Sequence, residues 1–366
     1  MVILHTVISG CNDTKAATAL FTFIFAPVLQ MIKELNIITA PADSQLESQQ
    51  TASPCQSDLS AKSIGQPGKN ASVAADTPKN GRNRKRRPDW LRSQIPGGKV
   101  YKEISDIISG HSLNTVCAEA RCPNMAECWN AGTATFMILG DVCTRSCGFC
   151  AVKTGRPQKG LDWDEPNRVV DAAKLMDLKH VVITSVNRDE RKDGGAPIFA
   201  QTIQQLREEI HGVTVEVLIP DFRGLWDALQ IVLDARPDIL NHNLESVPRL
   251  YRRVRPQAKY DRSLELLRIS SEQNLRTKTG IMVGLGETPA EVFELMDDIS
   301  QAGVHIMTIG QYMQPTKMHL PVEEYVHPQM FETYKEVGES KGIEHVESGP
   351  FVRSSYHAHK HLAPSA

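Results

Sequence analysis

From Thr135 onward, short β-branched runs alternate with longer segments whose apolar residues recur at helical spacing. The runs Thr135–Leu139, His180–Val186, Thr214–Ile219, Ile239–Asn243, Thr277–Val283 and His305–Ile309 predict strands, with Ile343–Val346 as a seventh. Between them, Val169–Leu178, Phe199–Ile210, Leu225–Leu233, Ser263–Gln273, Pro289–Ala302 and Met330–Lys341 predict helices. Strand–helix repetition without tight hairpin turns implies a parallel sheet with right-handed crossovers. Such units either close into a barrel or lie open as a doubly wound sheet, and the pattern alone leaves both available. The residues after the strands help to separate them. Cys143 to Cys150 follow the first strand, Asn187-Arg188-Asp189 the second, Pro220-Asp221-Phe222 the third, His242-Asn243-Leu244-Glu245 the fourth, Gly284-Leu285-Gly286-Glu287 the fifth and Gln311-Tyr312 the sixth. A barrel enzyme builds its site from all its C-terminal strand ends, whereas a doubly wound sheet gathers it at one crevice. Polar or glycine-rich residues after every strand favour the barrel.

The chain before Thr135 has a different character. Residues 41 to 82 are rich in Ser, Gln, Ala, Asp, Asn and Pro and have few large apolar side chains, so they cannot repay the entropy of ordering. Residues 1–85 are therefore expected to be a disordered or presequence-like leader. Its almost uncharged run from Ala16 to Ile32 is borderline in length for a membrane span and is interrupted by Pro27, which disfavours a membrane anchor. The basic run from Arg82 to Arg87 reads as a solvated charged segment ahead of a fold that begins near Asp89-Trp90. A formal net charge of −2 over 366 residues gives no general attraction to nucleic acid, so nucleic-acid binding is disfavoured.

The cysteines change the picture most. Six of the eight fall in two triplets, Cys117, Cys122, Cys128 and Cys143, Cys147, Cys150, while Cys11 and Cys55 lie in the leader as bystanders. Tight clusters inside a long chain favour metal over disulfides, and hence a reducing compartment. Three thiolates bind three irons of a cubane cluster and leave the fourth open to a substrate. The second triplet has a three-residue gap and then a two-residue gap, and no His lies within it. Structural zinc usually shows paired two-residue gaps, so iron–sulfur chemistry is favoured here.

That gap order, with Phe149 directly before the last cysteine and the loop following a first barrel strand, resembles the radical S-adenosylmethionine superfamily. The resemblance implies that Cys143, Cys147 and Cys150 hold a [4Fe-4S] cluster whose open iron chelates S-adenosylmethionine, whose reductive cleavage yields a 5′-deoxyadenosyl radical. Asp193-Gly194-Gly195-Ala196 is similar to the superfamily's glycine pair, which makes Gly194, Gly195 and Phe149 implied contacts of the cosubstrate. Gly280 to Glu287 resembles its glycine-containing strand near the adenine.

The first triplet, with gaps of four and five, resembles the auxiliary-cluster motif of the lipoyl synthase family. The likeness runs from about Pro88 to Leu362 and includes Arg121-Cys122-Pro123-Asn124, Glu127-Cys128-Trp129, Leu240-Asn241-His242-Asn243, Ile309-Gly310-Gln311-Tyr312 and Gly349-Pro350-Phe351-Val352-Arg353-Ser354-Ser355-Tyr356. It implies a second [4Fe-4S] cluster on Cys117, Cys122 and Cys128, completed by Ser355, with Ser354 as the fallback. It further implies insertion of two sulfur atoms, at C6 and C8 of an octanoyl chain amide-linked to a lysine of a lipoyl carrier domain or H protein, with the auxiliary cluster consumed as sulfur donor. The partners it implies are a donor such as ferredoxin or flavodoxin and an iron–sulfur carrier for cluster repair. A bacterial cytoplasm is expected, with a plastid or mitochondrial matrix as the alternative.

The expected organisation is a leader (1–85), an N-terminal extension carrying the first triplet (86–134), a partial (β/α)6 barrel of the TIM type (135–345) and a C-terminal extension closing the auxiliary cluster (346–366). One departure from the family pattern is Asn187, where an Asp is usual before the Arg; it is given no role. Arg188 and Glu245 are left between a cosubstrate contact and a salt bridge. The alternating His357, His359 and His361 read as a solvated tail.

Overall fold

The computed structural model describes residues 86–92, 99–116, 124, 128, 134–356 and 358. The leader before Arg86, Cys117 and Cys122 of the first triplet, and the three tail histidines lie outside the described residues. Helix α1 (Lys99–Gly110) leads to the short strand β1 (Asn114–Thr115), which pairs antiparallel with β2 (Thr135–Ile138). A two-residue parallel ladder, β3 (Val142–Cys143) with β4 (Lys153–Thr154), follows. The chain then alternates: α2 (Glu165–Leu175), β5 (His180–Ser185), α3 (Ala196–Glu209), β6 (Thr214–Leu218), α4 (Trp226–Asp234) and β7 (Ile239–Asn241). Next come a single turn α5 (Tyr251–Val254), α6 (Tyr260–Glu272), β8 (Thr277–Val283), α7 (Pro289–Gln301), β9 (Ile306–Gln311), α8 (Pro328–Ser340) and β10 (His345–Gly349).

The main sheet has the order β1-β2-β5-β6-β7-β8-β9-β10, and every pair after the first is parallel. Sequential order with no reversal means that all crossovers wind the same way, which puts every helix on one face and excludes a doubly wound sheet. That face is apolar. Val181, Ile183, Val215 and Val217 pack with Ile198, Phe199, Ile203 and Leu229, and Val283, Met307 and Ile309 pack with Leu295, Met296 and Phe331.

The other face is polar yet buried. Glu216 and Lys278 are both 0% exposed and form an ion pair at 2.9 Å across the intervening β7, whose Asn241 donates from Nδ2 to Glu216 Oε1 at 2.9 Å. His180 lies 3.9 Å from the same carboxylate. A flat sheet with helices on one side would leave these residues in water, so their burial requires the sheet to curl around them. The fold is thus the expected partial (β/α)6 barrel, with β10 as a seventh parallel strand that begins two residues later than the sequence suggested and runs on to Gly349. Among the described residues, β1 and β10 each pair with a single neighbour, so the cylinder has an open seam.

Sequence explains how the elements start and stop. Thr288 and Glu291 form a reciprocal capping box at α7, and Pro289 occupies its first turn, where its missing N–H costs nothing. Gly194 and Gly195 have φ of +55° and +87° ahead of α3, and a Cβ on Gly195 would run into Leu139.

Candidate active site

Among the described residues, the second cysteine triplet and its polar partners lie at the C-terminal ends of the strands. The β3–β4 ladder closes the base of the cysteine loop, and Gly155 N–H donates to the Cys143 carbonyl at 2.9 Å. The loop is pinned on two further sides at Gly148, which donates to Val254 O at 2.9 Å and accepts from Leu320 N–H at 2.9 Å. His319 Nε2 meets the Cys150 carbonyl at 2.8 Å.

Arg145, inside the three-residue gap, fixes the loop to the barrel. Its Nε and Nη2 donate to Asp189 at 2.6 and 2.8 Å, and Nη2 also reaches Asp221 at 2.5 Å. Asp221 is 0% exposed and receives a second guanidinium, Arg262, at 2.6 Å. Burial alone would raise the Asp221 carboxyl, but Arg145 holds it far below the usual carboxylate range. The quartet joins the cysteine loop to the ends of β5 and β6 and to α6, with charges that cancel.

Cys143 Sγ accepts from the backbone N–H groups of Arg145 at 3.4 Å and Asn187 at 3.3 Å, and from Asn187 Nδ2 at 3.7 Å. Asn187, passed over in the sequence, thus presents a donor amide to the sulfur where an aspartate would present a second negative charge. Burial pushes the Cys147 thiol up, opposed by the nearby Arg255 guanidinium. Burial likewise pushes Cys150 up to about 12, a backbone hydrogen bond at Val152 opposes this, and Cys147 and Cys143 add to the rise. Such thiols ionise only against a compensating cation, which the iron of a bound cluster would supply. Among the described residues, no three His, Cys, Asp or Glu side chains converge as ligands of one ion. Three soft thiols with no His or carboxylate between them are the donor set that would suit an iron–sulfur cluster.

Arg255 heads a buried chain of hydrogen bonds. Its Nη1 donates to the Asn243 carbonyl at 2.6 Å and to Tyr251 Oη at 3.0 Å; Tyr251 donates to Ser263 at 2.8 Å, and Ser263 Oγ lies 2.9 Å from His242 Nε2. The opposite ring nitrogen, Nδ1, lies 2.8 Å from Ile219 O and so carries the proton. Burial, reinforced by Arg255, pushes His242 down to about 4. The unfolded chain therefore binds this proton below about pH 6.5 and the folded chain does not, so His242 makes stability fall as pH drops from about 6.5 towards 4, with a limiting slope of about 1.4 kcal/mol per pH unit. Thermal unfolding of cluster-free protein across that window is expected to show a shallower slope in His242→Gln than in the parent; equal slopes would remove His242 as the cause.

The remaining expected residues fall into place as follows. Arg188 spends its donors on Glu190, Leu139 O and Lys159 O, which makes it structural. Gly195 N–H bonds the Asp193 carboxylate at 2.9 Å, and Phe149 packs on the core around β8 and β9. Glu245 has a φ of +68° and accepts from Asn243 Nδ2 at 3.1 Å, while burial raises its carboxyl. Gln311 is structural: its Nε2 reaches the carbonyls of Val283, Tyr312 and Glu324, and its Oε1 accepts from Val326 N–H.

Asn124, a described residue of the segment that carries the first triplet, touches the C-terminal segment. Asn124, between Cys122 and Cys128, donates from Nδ2 to Phe351 O at 2.6 Å, and its own carbonyl receives the Cys128 N–H at 2.9 Å. Asn243 Nδ2 donates to Ser354 Oγ at 2.7 Å. Sequence reading missed Arg145 and Arg255, and it noted Asp221 and Asn243 as residues after strands without a role or partner. The available signal was an arginine between two cysteines and polar residues directly after β6 and β7.

Comparison with known proteins identifies the family. Residues 137–299 match the radical SAM superfamily model, and residues 38–122 match the model of the N-terminal domain of lipoyl synthase. The chain is 60% identical over 281 residues to a lipoyl synthase of Rubrobacter xylanophilus, covering 76% of this chain and 87% of that one. It is 53% identical over 280 residues to a mitochondrial lipoyl synthase of Nematostella vectensis, covering 76% and 96%. Methylornithine synthase is a solved structure similar to it at a TM-score of 0.44 and 15% identity, covering 67% of this chain and 82% of that one. With its cysteine loop at the mouth of a one-way parallel barrel, and such identity along most of its relatives' length, this chain belongs to the lipoyl synthase family of radical S-adenosylmethionine enzymes.

Proposed function

We propose that the chain inserts sulfur at C6 and C8 of an octanoyl group amide-linked to a lysine of a lipoyl carrier domain or H protein. Superfamily membership implies one [4Fe-4S] cluster and S-adenosylmethionine. In the proposal, Cys143, Cys147 and Cys150 hold that cluster, while Cys117, Cys122, Cys128 and Ser355 hold a second, auxiliary one. When bound, the two clusters supply reductive cleavage of S-adenosylmethionine and sulfide for transfer. An octanoyl chain has no acidic C–H bond for a general base, which is why cofactor chemistry is needed at all. Phe149, Gly194 and Gly195 are the proposed contacts of S-adenosylmethionine.

The observation that carries the reading is a run of contacts across one mouth. Asn124 of the first triplet's loop bonds Phe351, Ser354 bonds Asn243, and the Asn243 carbonyl bonds Arg255, whose charge acts on Cys147. These contacts support a reading in which the segment after Asn124, the Arg-Ser-Ser-Tyr segment and the second cysteine loop serve one site. Arg145 and Asn187 orient the loop before any cosubstrate arrives. A serine oxygen is a harder ligand than thiolate, suited to leaving when the auxiliary cluster is attacked.

Anaerobic reconstitution with an octanoyl-lysyl peptide, S-adenosylmethionine and a reductant tests the reading. About eight irons per chain and a dithiolated octanoyl group are expected; about four irons, or cosubstrate cleavage with no sulfur in the product, would sink it. Ser355→Ala is expected to keep cosubstrate cleavage and impair sulfur transfer, and an unchanged product yield would move the ligand to Ser354 or abolish it. The proposed partners besides the carrier are a ferredoxin or flavodoxin as electron donor and an iron–sulfur carrier that restores the auxiliary cluster. The proposed compartment is a bacterial cytoplasm, with a plastid or mitochondrial matrix as the alternative. Among the described residues, no helix is long and apolar enough to cross a membrane.

A further inference from the structure

We infer that the two adjacent serines of the C-terminal segment have separate tasks: Ser354 is an anchor held by Asn243, and the anchored turn presents Ser355 to the auxiliary site. The inference rests on the reading of Ser355 as a cluster ligand and assigns Asn243 and Ser354 as positioning residues for it.

Geometry separates the two hydroxyls. Tyr356 N–H bonds the Arg353 carbonyl at 2.9 Å, so Arg353 to Tyr356 form a turn with Ser354 and Ser355 at its two central positions. Ser354 Oγ accepts from Asn243 Nδ2 at 2.7 Å inside the barrel mouth, where a Cβ on Gly280 would lie 3.5 Å from it. Among the described residues, none hydrogen-bonds the Ser355 hydroxyl. Asn243 is itself fixed. Its second amide hydrogen serves Glu245 Oε1 at 3.1 Å, its carbonyl is held by Arg255 at 2.6 Å, and the residue is 8% exposed.

The segment leading to the turn is seated just as closely. Gly310 faces the Val352 carbonyl at a distance no side chain could occupy, and Phe351 O takes the Asn124 amide at 2.6 Å. Val352 N–H bonds Gly349 O at 3.0 Å, which ties the segment to the end of β10. Asn124 thus fastens one side of the segment to the first triplet's loop, and Asn243 fastens the other side to β7. Ser355 follows directly after the second fastening. A ligand delivered this way can leave its iron while Ser354 keeps the segment in place, so release needs no wholesale undocking.

Hydrogen exchange of the backbone amides of residues 351–356 in the full chain reads the anchor, and the Mössbauer spectrum of the reconstituted protein reads the auxiliary cluster's iron without recourse to activity. Ser354→Ala is expected to speed exchange in the segment roughly two- to tenfold, with Asn243→Ala giving no further increase when combined with it. Ser355→Ala is expected to leave exchange unchanged and alter the spectrum of one iron site. The inference is overturned if Ser354→Ala leaves exchange unchanged, or if the effects of the two serine variants are reversed. If Ser354→Ala loosens the segment and neither variant alters the spectrum, the anchor stands and the ligand reading of Ser355 fails.

Discussion

Arg145→Met is expected to lower folding free energy by about 3–5 kcal/mol, the usual cost of breaking a buried ion pair from one side. The substitution keeps most of the side-chain volume but leaves Asp221, 0% exposed, with Arg262 as its single remaining guanidinium. Asp189 is partly open to water and loses less. Because Arg145 sits between Cys143 and Cys147, the loss falls on the loop itself, and amides 143–150 are expected to exchange faster before any iron is added. Arg145→Lys retains the charge, but one ammonium cannot reproduce the fork that spans Asp189 and Asp221, so an intermediate effect is expected. Denaturant unfolding together with iron bound per chain measures both. An Arg145→Met protein with the parent's midpoint and iron content would show that the quartet does not brace the loop.

The second large effect is expected in the barrel interior. Burial works to raise the Glu216 carboxyl, yet Lys278 overrides it and brings the group down to about 2. Removing the ammonium in Lys278→Met leaves a carboxylate with Asn241 and His180 as its remaining polar neighbours, and a loss of about 3–5 kcal/mol is expected. The pH dependence should change sign. In the parent, the depressed Glu216 contributes stability that is present above about pH 4.5 and is lost as pH falls towards about 2. Without Lys278, burial dominates and raises the carboxyl, so the folded chain takes up the proton first and the deficit shrinks on acidification. Adding Glu216→Leu to Lys278→Met should recover most of the stability. A single variant whose deficit grows on acidification would show that Lys278 is not what keeps Glu216 charged.

These two networks mark the limit of what the sequence discloses. The strands were legible because β-branched runs such as Val181 to Ile183 are buried on both sides, and Thr135–Ile138 and Thr277–Val283 fall where the runs stand. The start of α2 was read late. Glu165-Pro166-Asn167 opens α2 four residues before Val169 because a first turn built of cap and proline chemistry has no apolar periodicity. The pairs β1 with β2 and β3 with β4 were not legible, since two residues carry no period. In the site, the cysteines declare themselves by spacing. Arg145 with Asp221 and Asn243 with Ser354 join residues 76 and 111 positions apart, and no local pattern records such a partner. Gly284 and Gly286 read as a cosubstrate motif, yet their positive φ angles also serve the chain: a side chain on Gly284 would collide with Gln311.

The open seam gives the barrel a direction of compliance. A fully closed cylinder can widen only by parting strands and severing ladder hydrogen bonds. Among the described residues, β10 and β1 share no ladder, and the Asn124–Phe351 bond links the segments that follow them. A single side-chain hydrogen bond is worth about 1 kcal/mol net, so this latch yields before any strand pair does. Widening at the seam is therefore the least costly deformation of the described barrel.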